Sequence, residues 1–277
     1  MKKIRTLNIT GTTVFLIIML IVAGCLIFNI RDSFKRMKYG VAKGVWLGGT
    51  LLERKMEHEV YDLVSSVSKV YFLKPKNAYW DRLTGQILPE INGQKVDVSA
   101  TVKMIMNSKP HTVHDPVIVP LEPEITTDVY KNIRTKKGSF RTGFGGGNRA
   151  HNIFLAASSI NNYLLAPGEV FSFNKATMPR DAEHGYKKAP VIVGGTVVPG
   201  YGGGICQVSS TLYNAVKNAE LEVVERFPHS MPVDYVPKGM DATVSEYLDF
   251  KFRNNRDKFI LIKTGTYGYT LVVEIWE

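Results

Sequence analysis

Cysteine is nearly absent: the chain has two, Cys25 and Cys206, among 277 residues. So few exclude a disulfide-rich scaffold and any cysteine-rich zinc module. Acidic residues are also short, 25 against 35 Lys plus Arg, which leaves a formal net charge of +10. A basic balance points first to nucleic acid, but its placement argues otherwise. Residues 1–38 hold seven basic side chains and one acid, Asp32, and the remaining 239 residues carry a net charge of only +4. No nucleic-acid partner is expected.

The two basic clusters at the front bracket Val14–Ile30, seventeen residues without a charge. As a helix this run spans roughly 26 Å, near the short limit for crossing a bilayer. An uncleaved anchor would leave the chain beyond residue 31 or so outside the cell. The alternative is a lipoprotein signal, since Val22-Ala23-Gly24-Cys25 fits a cleavage site before a lipidated Cys25. Leu26-Ile27-Phe28 stay apolar where a mature lipoprotein turns polar, so the anchor is preferred. Residues 1–38 are read as a membrane anchor with basic flanks.

Residues 39–130 read as a small α+β domain. Apolar spacing predicts helices over Arg54–Phe72 and Ser99–Met106, a strand-turn pattern from Ala78 to Ile91, and a strand at Val117-Ile118-Val119. His111 and His114 lack a third ligand and are read as loop histidines. Lys131–Arg149 carries six basic residues, no acid, and the glycines Gly143, Gly145, Gly146 and Gly147. It lacks the Lys-Ser/Thr ending of a phosphate-binding loop. It reads either as a flexible basic strand-loop or as a rim that attracts an anionic polymer.

Residues 131–277 form the third predicted domain. A helix is expected over Asn148–Leu165, strands at Glu169–Phe173 and Ala189–Val198, and a helix beginning at Ile205 directly after Gly202-Gly203-Gly204. Cys206 therefore falls in the first turn of that helix. A thiolate there is stabilised by free backbone N–H groups and the helix dipole. The glycines before it let N–H groups face a developing oxyanion. A cysteine nucleophile needs a base. His229, between predicted strands Leu221–Phe227 and Met231–Tyr235, is the best candidate. The competing reading makes Cys206 a small buried apolar residue. A metal site from Cys206, His184 and His229 lacks regular ligand spacing, so neither metal nor cofactor is expected. Phe259–Ile262 and Leu271–Ile275 predict a closing β-hairpin.

Gly202-Gly203-Gly204-Ile205-Cys206-Gln207-Val208-Ser209-Ser210-Thr211-Leu212-Tyr213-Asn214 resembles the signature of the VanW domain. Pro167–Asn174, Glu225–Val233, Asp241–Val244 and Leu248–Asn255 resemble its other motifs. Met178 departs from the pattern, standing where the family usually has Gly. Residues 55–120 resemble the peptidoglycan-binding domain that often precedes VanW domains, in Asn77-Ala78-Tyr79 and Asn92-Gly93.

The resemblance implies an α+β fold with a mainly antiparallel sheet. Some VanW-domain proteins are L,D-transpeptidases that join peptidoglycan stems through a cysteine acyl-enzyme. Carried onto this chain, Cys206 is the nucleophile and His229 the base. Asp241 is the first choice to orient the histidine and Asp234 the second. Gly203, Gly204, Gln207 and Arg141 are expected around the substrate and oxyanion, with Arg226 a further carboxylate candidate. The expected partners are peptidoglycan stem peptides and the membrane, with no obligate protein partner. The alternative function is a non-catalytic wall-binding or glycopeptide-resistance accessory protein.

Overall fold

The computed structural model describes residues 11–277, which fold as mixed α+β with mainly antiparallel sheets. The chain divides into two compact units. One comprises the described chain up to Asn77 together with Glu90–Glu124; the other joins Ala78–Pro89 to Ile125–Glu277.

In the first unit, helix α1 spans Gly11–Tyr39 and runs nine residues past the apolar run. Val14–Tyr39 is exposed, and long and apolar enough to cross a membrane, as an anchor or a signal sequence. Its last turn carries Arg36 and Lys38, the favourable charge for a helix C-terminus. Arg36 grips Glu59 of α2 (Glu57–Tyr71) through both carboxylate oxygens, at 2.6 and 3.0 Å. Glu59 also accepts the Met56 N–H at 2.7 Å, and the two contacts hold its pKa at about 2, Arg36 contributing most. Helix α2 buries Val60 and Val64 and packs on α3 (Val98–Met106), which Asp97 caps through the Ala100 N–H at 2.8 Å. His114 ends a short strand, its Nε2 bonded to the Ser108 and Thr112 hydroxyls; His111 lies on an exposed turn.

The second unit begins its continuous stretch with α4 (Thr127–Asn132). A four-stranded antiparallel sheet follows in the order Lys136–Gly143, Thr270–Trp276, Ile260–Tyr267, Tyr163–Leu165. Strand alternation sends Leu271, Val273 and Ile275 into the core, against α5 (Asn148–Ile160) and α7 (Ile205–Asn218). A three-stranded sheet from Val170–Ser172, Lys251–Arg253 and Glu222–Glu225 adds Phe171 and Phe252 to the same core. Short helix α6 spans Phe173–Thr177.

Four local expectations change. The basic segment 131–149 runs from the end of α4 to the start of α5 and holds the edge strand Lys136–Gly143 at its middle, its backbone paired along Thr270–Trp276. The helix from Asn148 ends at Ile160, because Asn162 takes a left-handed φ of 55° and the chain turns into a strand. Ala189–Val198 is a hairpin of Lys188–Val193 and Thr196–Tyr201, turned by Gly194 and Gly195 at positive φ. Met231–Tyr235 is irregular rather than a strand.

Helix α7 is the centre of the unit. Every residue from Gln207 to Val216 is buried. That includes Gln207, Ser209, Ser210, Thr211 and Asn214, whose polar groups must find partners inside the protein.

Candidate active site

The glycine turn sets the start of α7. Gly202 and Gly204 hold φ of 80° and 107°, conformations that side chains rarely adopt. A Cβ at Gly203 would lie 2.6 Å from the Pro190 carbonyl oxygen and 2.7 Å from the Ala189 carbonyl carbon. Buried Asn152 of α5 pins the turn by donating to the Gly203 and Lys187 carbonyls, at 3.0 and 2.8 Å. The Ile205 and Gln207 N–H groups are taken by the Gly202 and Gly204 carbonyls, each at 3.0 Å. Among the described residues the Cys206 N–H meets no backbone acceptor. Nor do the Gly203 and Gly204 N–H groups beside it, so the turn holds free donors, the last of them on the residue with the thiol.

Cys206, half-buried and without a disulfide, directs its thiol to the Val244 carbonyl at 3.4 Å. The thiol is also near enough to the His229 ring to act on its charge. The His229 Nδ1 lies 2.7 Å from the Asp241 Oδ2, which also accepts the His229 backbone N–H at 2.6 Å. A side chain gripped at ring and backbone by one carboxylate has its orientation set. Arg226 completes the arrangement, donating from Nε to the Asp241 carbonyl at 2.6 Å and from Nη2 to Oδ1 at 3.0 Å.

The charges follow from these contacts. Burial disfavours the imidazolium of His229, yet its interactions with Cys206 and Asp241 outweigh it and raise the pKa. Burial likewise opposes the Asp241 carboxylate, but the His229 backbone and ring N–H groups and the Arg226 charge lower its pKa. The His229 and Asp241 side chains are only 7% and 9% exposed, so water weakens this pair little.

The polar face of α7 places Asp241. Ser210 Oγ accepts the Ala242 N–H at 2.8 Å and donates to the Cys206 carbonyl at 2.7 Å. Ser209 bonds the Ala242 carbonyl, and Asn214 Nδ2 donates to the Met240 carbonyl at 2.6 Å. These three side chains lash segment 240–242 to the helix that carries Cys206. Sequence patterns do not reveal this role, because it links residues about thirty positions apart.

Tyr235 is a further member that sequence reasoning missed. Its hydroxyl lies 3.4 Å from His229 Nε2, with the rings edge to face. Burial first, then the charge of Cys206, pushes its pKa well above the ordinary range.

Two expected substrate residues lie elsewhere. Gln207 turns into the core, where Nε2 donates to Thr142 Oγ1 at 2.9 Å and to the Gly143 carbonyl at 2.6 Å. Arg141 alternates with Thr142, which faces α7, and pairs across the sheet with Val272 on the opposite face. Val272 lines a cavity of about 440 Å³ there, with Trp80, Tyr130 and Tyr267; Cys206, His229 and Asp241 take no part in it. Asp234 is exposed and does not contact His229, and His184 bonds exposed Asp181 at 2.7 Å. Gly203 and Gly204 sit at the thiol as expected.

Residues 148–276 match the family described as VanW like protein. Over 159 residues, 56% of this chain, the sequence is 43% identical to the "Uncharacterized protein YoaR" of Bacillus subtilis strain 168. Over 116 residues, 40% of this chain, it is 34% identical to the "Vancomycin B-type resistance protein VanW" of Enterococcus faecalis strain ATCC 700802 / V583. The matched regions cover 52% and 42% of these relatives, so the chain spans about half their length or less. No solved structure matches it significantly.

Proposed function

Residues 148–276 form a VanW-like domain, and from that premise we propose that the chain is a membrane-tethered, extracytoplasmic L,D-transpeptidase. Its substrates are peptidoglycan stem peptides, joined 3→3 through a thioester on Cys206. The observation that supports this reading is the cluster at one end of α7: His229 is gripped by Asp241, and Ser210 lashes the segment that carries Asp241 to the helix turn that carries Cys206. A nucleophile, a base and an orienting carboxylate in that order suit acyl transfer.

The chemistry closes on these groups. His229 takes the thiol proton as sulfur attacks the carbonyl between stem residues three and four. The Cys206 N–H donates to the oxyanion. Collapse of the adduct breaks the C–N bond, and His229 returns the proton to the departing amine of residue four. A side-chain amine of a second stem then attacks the thioester, loses its proton through His229, and releases the Cys206 sulfur. The bond made replaces the bond broken, and no cofactor enters.

Purified full-length protein in detergent, given disaccharide-tetrapeptide, should yield a 3→3 dimer by mass spectrometry. Cys206→Ala should yield none. Wild type making no dimer with its thiol reduced would move the protein to the non-catalytic class.

A further inference from the structure

We infer that Arg149 and Arg180, on either side of the Gly202–Gly204 turn, form a carboxylate-binding subsite beside the Cys206 thiol. The subsite takes acyl donors with a free carboxylate close to the scissile carbonyl. It rests on Cys206 being the acyl-forming nucleophile.

Both arginines reach the turn. The Arg149 Cγ lies 2.9 Å from where a Cβ on Gly204 would stand, and the Arg180 Cβ lies 3.7 Å from the same position on Gly202. The Arg149 guanidinium sits over the Tyr235 ring, 5.8 Å from its centre, and Tyr235 in turn adjoins His229. The charge of Cys206 is the largest influence opposing the loss of charge that burial imposes on Arg180.

Neither guanidinium is neutralised. Half-buried Arg149 makes no hydrogen bond or ion pair among the described residues, only the ring contact. Arg180 hydrogen-bonds through Nη2, at 2.6 Å from Asn174 Oδ1 and 2.8 Å from Thr177 Oγ1, both neutral, and its guanidinium stands over the Phe173 ring at 5.6 Å. Its Nε is buried without a partner. Desolvated donors of this kind are costly unless an acceptor arrives.

The nearby acids are committed elsewhere. Asp241 serves His229 and Arg226. Asp249, whose charge also reaches Arg180, accepts from the Ser172 hydroxyl and the Asn174 and Phe250 N–H groups, and Asp181 pairs with His184. Two planar cations without an ion-pair partner match a carboxylate, which arginine binds through paired hydrogen bonds. Arg226, spent on Asp241, and Arg141, on the far face of the sheet, do not offer this.

The test compares alkylation of Cys206 by iodoacetate and iodoacetamide in full-length protein carrying Cys25→Ser. Each iodoacetate rate is divided by the iodoacetamide rate of the same variant, which removes effects on the thiol itself. The ratio should fall about tenfold or more in Arg149→Gln and in Arg180→Gln, the scale of charge-focused enrichment, and recover partly in the lysine variants. If Arg180→Gln does not fold by circular dichroism, Arg149→Gln, which forfeits no hydrogen bond, decides the matter. An unchanged ratio overturns the subsite. The cross-linking assay separates the two readings. A ratio that depends on the arginines without any 3→3 dimer leaves the subsite and removes the transpeptidase; dimer with an unchanged ratio does the reverse. Donor tetrapeptides amidated at the C-terminus or at the side-chain carboxyl identify which carboxylate is held, since only the one that matters should raise KM in wild type and not in Arg149→Gln.

Discussion

Asp241 carries more of the site than its single negative charge suggests. It orients His229 at two points and anchors Arg226, so Asp241→Asn should cost about 1–3 kcal/mol of stability. The pH dependence has two edges. Asp241, with its folded pKa below 3.8, contributes fully above that value, and the contribution is lost as pH falls through the lowered one. His229, with its pKa raised above 6.5, contributes fully below that value, and the contribution is lost as pH rises through the raised one. The stability gap between wild type and Asp241→Asn should therefore be widest between about pH 4 and 6.5, measured by urea denaturation across a pH series. The same substitution should lower the His229 pKa, read from the pH dependence of Cys206 alkylation. Gly203→Ala tests the turn: its methyl group has only backbone and Ala189 to meet, and about 1–3 kcal/mol should be lost, seen as a lower denaturation midpoint.

Among elements, α7 decides how the site holds together. Ser210→Ala removes the acceptor of the Ala242 N–H and one of two hydroxyls that donate to the Cys206 carbonyl, Ser209 being the other. A loss of about 1–3 kcal/mol is expected. Hydrogen exchange should quicken at Ala242 and Thr243, while the hairpin Ile260–Tyr267/Thr270–Trp276 keeps its protection. Unchanged exchange at those two residues would show that the lashing is unimportant. The longer helices α1, α2, α3, α5 and α7 and the closing hairpin were legible in the sequence, because apolar periodicity is a local signal, while short α4 and α6 were not; Cys206 at a helix start was legible from the glycines before it. The loop that carries Tyr235 was not. Pro228, Pro232 and Pro237 remove backbone donors that a strand would need, despite the apolar residues between them. The hairpin at Gly194-Gly195 was marked by that pair, a turn signal between the apolar residues on either side that a single strand over Ala189–Val198 passes over. Arg149, Arg180 and Tyr235 acquire their meaning only from tertiary neighbours, and no spacing rule reaches that far.

For the molecule as a whole, two cysteines make the topology measurable. In cells carrying Cys25→Ser, a membrane-impermeant maleimide should label Cys206 without lysis if the second unit lies outside. Labelling that appears only after lysis would overturn the extracytoplasmic placement. The basic charge that first suggested nucleic acid is concentrated around α1, where it bears on membrane orientation instead. The remainder of the chain is close to balanced. Its useful positive charge is local, in arginines beside the thiol.

The hairpin Tyr79–Asp81/Gln86–Leu88 has a genetic consequence. It groups with the second unit, while the chain on both sides of it belongs to the first. Neither unit is therefore one uninterrupted stretch of codons. A single crossover between residues 89 and 125 would graft the VanW-like domain onto a new partner without the Ala78–Pro89 segment, whose Trp80 and Ile87 line the cavity on the outer face of the sheet. Recombination that preserves that cavity has to move both pieces together, so the two units should be inherited as a pair.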